Sequence, residues 1–276
     1  MTVVAAERAG GGVRRLVREG GALDRFGVPV GLAAGFLLVW ELVVRLCQIP
    51  VFLLPSPSVI AVTLVTDWRV IYLNIGSTLV AVLGGFGLSI LVGVPLATLI
   101  VFSRLAERVF YPPMVASQAI PKVAIAPLFI VWLGYGIAPK IGIAFLIAFF
   151  PIVIDTVVGL RSVPPEMLQL GRSMGSGSLR VFLKLRLPSA LPNLFGGLKV
   201  AVALAVVGAI TGEFVGSQSG LGYLLTSASG QMDTPLVFAV LVTISAIAVL
   251  LFLAVEALEK FAIPWHSSMR SRHLGP

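Results

Sequence analysis

Between Arg69 and Arg104 lie 34 consecutive residues without a charged side chain, and between Asp233 and Glu256 lie 22 more. A helix needs roughly 20 mainly apolar residues to cross about 30 Å of hydrocarbon, because it rises 1.5 Å per residue. Runs of this length and apolarity belong in lipid. There the backbone must satisfy its own hydrogen bonds, which leaves helices or closed barrels. The alternation of a barrel strand is absent from these runs. The rest of the chain agrees, with 58% apolar and 12% charged residues, against about 45–50% and about 25% in soluble domains.

These features predict an all-α integral membrane protein with about six transmembrane helices. The spans are expected at about 28–46, 76–102, 109–133, 138–160, 190–214 and 234–256. Between the first two, Pro55 and Pro57 break any helix. The stretch from Ser58 to Leu73 is expected to lie along the membrane surface, with Trp68 and Tyr72 at headgroup level. The Gly- and Ser-rich stretch "GSQSGLGYLLTSASGQMD" before the last span suits a short re-entrant or surface hairpin. Gly84, Gly85, Gly87 and Gly93 in the second span, with Gly196 and Gly197 in the fifth, are expected at close helix contacts.

Orientation follows from the basic residues. Placing the N-terminus inside puts 15 of the 20 Lys and Arg in cytoplasmic tails and loops, including Arg104, Arg108, Arg161, Arg172, Arg180, Lys184 and Arg186. Arg69 and Lys140 then fall outside. The expected organisation is a cytoplasmic tail over 1–27, a transmembrane domain over 28–258 with a cytoplasmic loop at 161–189, and a cytoplasmic tail over 259–276. The first 25 residues hold five Arg and no apolar core, which reads as a tail and not a cleaved leader. The net charge of +8 is the mark of positive inner loops, not of a nucleic-acid binder.

Chemistry of bond making is not visible. There is no Gly-Lys dipeptide and so no phosphate-cradling Walker loop. His266 and His273 sit in a polar tail, Cys47 is the single cysteine, and no His/Cys cluster has metal spacing. Passage of a solute fits this chain better than a reaction. The positive signal is a set of ionisable residues inside spans: Glu41, Lys122, Asp155, Lys199 and Glu213. A charge at the bilayer centre costs at least about 2.5–3.5 kcal/mol, so such groups face protein or a watered path. Glu41 and Arg45 are spaced for a local ion pair, and Lys199 is placed to snorkel to the inner surface. Lys122, Asp155 and Glu213 are the candidates for a translocation path. Lys122 follows Pro121 in "QAIPKVAIAPLFIVWLGYG", where Pro121 and Pro127 interrupt the helix.

The inner loop carries a more specific pattern, "GRSMGSGSLRVFLKLRLPSALPN". It resembles the cytoplasmic signature of ATP-binding-cassette importer permeases: Glu-Ala-Ala, three residues, Gly, nine residues, Ile, one residue, Leu-Pro. Gly175 takes the Gly place, and Leu185, Arg186, Leu187 and Pro188 stand in register with Ile-x-Leu-Pro. Gln169, Leu170 and Gly171 occupy the Glu-Ala-Ala place and depart from it. "LPSPSVI", "APLFIVWLGYG", "FFPIVIDTVVGL" and "GEFVGSQSGLGYLL" look like the branch that imports nitrate, sulfonates, taurine and related small solutes.

The resemblance implies a permease subunit, not an enzyme, in the bacterial cytoplasmic membrane. It implies a second permease copy, a dimer of cytoplasmic ATPases that bind the ATP, and an external solute-binding protein. The coupling residues it implies are Glu166, Gln169, Leu170, Gly171, Gly175, Leu185 and Pro188. Residues 164–184 are then expected to form a helix–turn–helix, with Leu179, Phe182 and Leu183 on one face of the second arm and Pro188 ending it. The alternative is an ion-coupled secondary transporter built on Asp155 and Glu213. Transport that dies with ATP depletion, and not with collapse of the ion gradient, separates the two.

Overall fold

The computed structural model describes residues 22–265. They form eleven α-helices and no strand: α1 Ala22–Leu46, α2 Pro57–Thr66, α3 Trp68–Phe102, α4 Arg104–Ala116, α5 Ala126–Leu133, α6 Ile137–Arg161, α7 Pro165–Ser173, α8 Ser178–Val181, α9 Leu187–Gly216, α10 Leu221–Gly230 and α11 Thr234–Ala262. The expected cytoplasmic tails lie mostly outside the described residues, with Arg8, Arg14, Arg15, Arg18, His266, Arg270, Arg272 and His273. Four helical runs are long and apolar enough to cross a membrane: Trp68–Phe102, Ile137–Arg161, Ser178–Gly216 and Thr234–Ala262. α1 is a further helix of 25 residues over the first expected span.

The third expected span, 109–133, is not one helix. Arg104–Ala119 and Lys122–Leu133 meet at a 92° bend. The reason is local. Pro disfavours helical geometry in the residue before it, and Ile120, before Pro121, is extended at φ −76° and ψ 126°. Two short 3₁₀ turns flank the break, Ser117–Ala119 and Lys122–Ile125. Irregular backbone at membrane depth is tolerated where protein or a cavity covers it.

The surface helix expected over Ser58–Leu73 is also corrected. α2 ends at Thr66, and Trp68–Leu73 are the first turns of the 35-residue α3. The start of α2 lacks a side-chain cap of its own. Glu41 of α1 supplies one, accepting from the Ser58 amide at 3.0 Å and the Ser58 hydroxyl at 2.7 Å. The carboxylate satisfies an amide that no helical carbonyl reaches. The expected Glu41–Arg45 pair is present at 2.6 Å, so one carboxylate ties α1 to α2.

The core is a three-helix seam of α3, α6 and α9. Ala81 and Val82 of α3, Ala144, Ala148 and Ile152 of α6, and Ala201, Val202, Ala205 and Ala209 of α9 are buried together. Small residues let the backbones close, since in lipid packing and not water exclusion drives association. A Cβ on Gly208 would lie 2.6 Å from the Ala144 Cα, and one on Gly93 would lie 3.2 Å from Ile152. Gly84, Gly85 and Gly197 also sit at such contacts, but Gly87 and Gly196 face open space. A second cluster sets α10 and α11 against α2 and α3 through Ile60, Ile71, Leu221, Leu224, Ala239 and Val240. The expected hairpin after the fifth span is thus a short helix packed into the bundle.

Candidate functional site

Two places in the bundle combine unusual residues with defined geometry. One is the segment joining α6 to α9, at the Arg161 end. The other is the opposite end, where α6 starts and α9 stops.

At the Arg161 end, α7 runs over "PEMLQLGRS". Pro at the start forgoes an amide that would be unpaired there anyway, and Glu166 in the first turn suits the helix dipole. Gly175 follows with φ +72°, a left-handed conformation that residues with a Cβ resist. The chain then returns through α8. Gly171 is the close approach between the arms, since a Cβ there would lie 3.3 Å from Leu185 and 3.5 Å from Val181. Glu166, Gln169 and Leu170 are exposed, and Leu185 is half-buried.

Two expectations about the second arm are corrected. Leu179, Phe182 and Leu183 do not share a face. Phe182 turns inward onto Phe102 with ring centroids 5.3 Å apart, while Leu179 and Leu183 are exposed. Pro188 does not end the arm either, because helical structure is continuous over Ser178–Gly216. Phe182–Arg186 widens into a π turn just before the proline. Such a bulge accommodates a ring that would strike the carbonyl four residues back. The segment is also tied to its neighbours. Arg186 lies 5.5 Å from the centre of the Phe102 ring, and Arg161 pairs with Glu107 at 2.9 Å.

At the opposite end stands a buried polar network that the sequence reveals only in part. Glu213 is 1% exposed and Lys140 is 3% exposed. The carboxylate accepts from the Gly222 amide at 2.7 Å and from the Thr78 hydroxyl at 2.9 Å, with the Lys140 ammonium 3.7 Å away. Lys140 donates to the Ser219 carbonyl at 2.7 Å and the Ser77 hydroxyl at 2.9 Å. Thr78 accepts from the Leu221 amide, and Asn74 from the Gly220 amide, both at 2.8 Å. Buried charges persist where each is paired and hydrogen-bonded. The network therefore clamps α3, α6 and α9 to the turn that leads into α10. Lys140 is thus a buried network residue and not the loop residue that the charge pattern suggests. Its position near the start of one span, opposite Glu213 near the end of another, is the signal that could have found it.

Beside the network is a cavity of about 350 Å³, lined by Ser77, Tyr135, Lys140, Ser217, Gln218 and Ser219 together with Gly136, Ile137 and Gly216.

The remaining charged candidates are separate. Lys122 is half-buried, with its ammonium 4.8 Å from the centre of the Phe150 ring. Asp155 packs against Gly197, where a Cβ would meet its carboxylate at 2.9 Å. Lys140 and Asp155 are fifteen residues apart on α6, or about 22 Å along the axis. Lys122, Asp155 and Glu213 thus sit at three levels and form no common site. Lys199, expected to snorkel to the inner surface, pairs with Glu259 near the end of α11 at 2.8 Å.

A helical bundle with four runs long and apolar enough to cross a membrane is that of an integral membrane protein. The chain belongs to the family of binding-protein-dependent transport system inner membrane components, whose model matches residues 85–263. It is 38% identical to a probable ABC transporter permease of Haemophilus influenzae, over 83% of this chain and 93% of that protein. It is 37% identical to the formylaminopyrimidine transport permease ThiX of Halalkalibacterium halodurans, over 83% and 92%. It is 38% identical to the riboflavin transport permease RibX of Chloroflexus aurantiacus, over 90% and 94%. Among solved structures, the inward-facing MetNI methionine ABC transporter superposes with a TM-score of 0.57 at 21% identity, over 70% of this chain and 94% of that chain. The chain is therefore a multi-pass permease of an ABC importer and not an enzyme. Membership implies ATPase and solute-binding-protein partners.

Proposed function

We propose that the chain forms half of a homodimeric translocation path, with both termini and the 161–189 segment in the cytoplasm. An external binding protein delivers the solute. A dimer of ATPases binds ATP, docks on α7, and shifts the balance between inward- and outward-open states. The observation that carries this reading is the surface of the α7–α8 turn. Met167, Leu170, Met174, Leu179 and Leu183 are all exposed there, beside a cleft lined by Gly175, Leu179, Arg180 and Lys184. An apolar patch rimmed by charge is the mark of a protein partner, and Met fits irregular grooves. Because α8 continues into α9, a pull on this turn reaches the core directly. Residues Glu166, Gln169, Leu170, Gly171, Gly175, Leu185 and Pro188 are the coupling set. Among them Glu166, Gln169 and Leu170 meet the partner, while Gly171, Gly175, Leu185 and Pro188 shape the turn.

The solute is small and polar. Relatives carry the names of transporters for formylaminopyrimidine and riboflavin, and more distant ones those for aliphatic sulfonates and taurine. A sulfonate- or taurine-like solute and a pyrimidine-type precursor are the two classes to test. A secondary transporter is disfavoured, because Asp155 and Glu213 stand far apart and Glu213 is already fully engaged.

The orientation can be read directly. A Cys put in place of Ser176 on a Cys47→Ser background is expected to resist an impermeant maleimide from outside intact cells and to react in inverted vesicles. Labelling from outside would sink the orientation. Lys122 offers a second test, placed beside the path where the broken third span opens the backbone. Lys122→Gln removes a cation–π contact of about 0.5–2 kcal/mol. Uptake is expected to slow several-fold while ATPase co-purification is unchanged. Uptake at the parental rate would leave Lys122 a packing residue only.

A further inference from the structure

At the Arg161 end a small cleft opens where several pieces of chain meet. Phe102 ends α3, Leu168 belongs to α7, Ser176 to the turn, Ser178 and Val181 to α8, and Arg186 to the π turn. Together they line about 90 Å³. The Arg186 guanidinium is held over the Phe102 ring, 5.5 Å from its centre. Such a contact rests on the ring's quadrupole and gives the N–H donors no lone pair to meet. Among the described residues, no ion pair or hydrogen bond engages the Arg186 guanidinium, the Ser176 hydroxyl or the Ser178 hydroxyl. Glu107 of the neighbouring α4 is taken by Arg161 at 2.9 Å. Three unengaged donor groups therefore line one cleft, and its other walls are apolar. The surrounding charge has the same sign. Over 161–189 stand Arg161, Arg172, Arg180, Lys184 and Arg186 against Glu166 alone, a balance that concentrates anions.

We propose that this cleft binds one phosphate-type oxyanion, with Arg186 as its charge partner and Ser176 and Ser178 as hydroxyl donors. A guanidinium presents a planar fork that suits phosphate oxygens, and each hydroxyl can turn its proton toward a further oxygen. A tetrahedral oxyanion has acceptors enough for donors that come from separate parts of the chain. A water needs about 10–15 Å³, so the cleft has room for several waters or for one such group, and not for a larger solute. The bound anion neutralises Arg186 and fastens the α7–α8 turn to the end of α3. Its phosphate comes either from a phospholipid head group or from free phosphate. The site stands on its own geometry. Only the choice of the inner leaflet as the lipid source rests on the proposed cytoplasmic placement of this turn.

The test uses the full-length permease in dodecyl maltoside micelles, which contain no phosphorus, with ionic strength held constant by sodium chloride. In one arm the probe is inorganic phosphate, read by broadening of its ³¹P resonance. In the other it is dioleoylphosphatidylglycerol added to the micelles, read as a single lipid adduct by native mass spectrometry. Binding in either arm is expected to weaken about tenfold or more in Arg186→Gln, since a charge-assisted contact is lost. Should that variant not fold, Ser176→Ala with Ser178→Ala removes both hydroxyls and is expected to weaken binding several-fold. Arg180→Gln with Lys184→Gln removes the same or more charge from a separate cleft, and is expected to retain binding within about threefold. Arg186-dependent binding of phosphate alone assigns the free anion, and of the lipid alone the head group. Binding in neither arm overturns the site. So does binding unchanged by the Arg186 and the serine variants, or lost equally in the Arg180 and Lys184 variant, which marks a diffuse positive surface. Acetate that displaces phosphate at equal concentration overturns the phosphate preference and points to a carboxylate side chain of the partner ATPase. No arm reads transport or ATP hydrolysis, so failure of the coupling role leaves this result intact. Labelling of Ser176→Cys reads the placement of the turn separately.

Discussion

Gly220→Ala is expected to prevent stable assembly of the bundle, although it adds a single methyl group. Gly220 sits at φ +111°, and a Cβ there would fall within the Glu213 carboxylate. The side chain has little room to retreat toward Gly222, where a Cβ would lie 2.8 Å from the Glu213 Cβ. The carboxylate must leave the Gly222 amide, the Thr78 hydroxyl and Lys140. Breaking a buried ion pair by displacing one partner costs about 3–5 kcal/mol, since the other charge stays buried and uncompensated. Total stabilities of about 5–15 kcal/mol make that a large fraction. The expected result is loss of most detergent-extractable, monodisperse permease, with a lowered melting temperature in what remains. Gly230→Ala is the control, since its Cβ meets nothing within 4 Å. Extraction and melting of Gly220→Ala like the parent would show that the network does not hold this end together.

Gly175→Val is expected to abolish coupling while leaving insertion intact. Its neighbourhood is open, so no clash arises. The effect is conformational: φ +72° places a β-branched residue in left-handed geometry, at about 1–2 kcal/mol for an ordinary side chain and more for a branched one. The turn relaxes, and the α7 surface loses its angle to α8. Uptake and solute-stimulated ATP hydrolysis are expected to fall together. Gly175→Asn is expected to retain most of both, because Asn tolerates this region of backbone space. Full uptake by Gly175→Val, or unchanged ATPase co-purification after deletion of 167–182, would exclude this segment as the coupling element.

The charge-free runs suffice to decide the membrane class, because the cost of burying charge in hydrocarbon is set one residue at a time. The spacing from Gly175 to Pro188 likewise points to one loop, because a turn that needs a left-handed residue is a local demand. The break at Pro121 is legible for the same reason, but the 92° bend between the halves is not, and Pro127 stands in the first turn of a helix instead of interrupting one. That angle depends on what each half packs against. The fate of Pro188 also needs the fold: a π turn absorbs the ring, and the span runs through it.

The charged residues divide along this line. Glu41 and Arg45 pair as expected, since four residues on one helix fix their separation. Lys140 with Glu213, and Lys199 with Glu259, are partners from different helices. Hydropathy places Lys199 and Glu213 within a span but does not give the rotation of that helix about its own axis. That rotation is set where small residues let backbones touch, as Gly208 of α9 does at Ala144 of α6. By itself the sequence determined that the chain is a helical membrane protein and which loop carries the turn. Only the tertiary structure decided which charges compensate one another and that Lys140 and Glu213 close one end of the bundle. The physical reason is that solvation is a property of each residue, whereas compensation requires two helices to be brought into register.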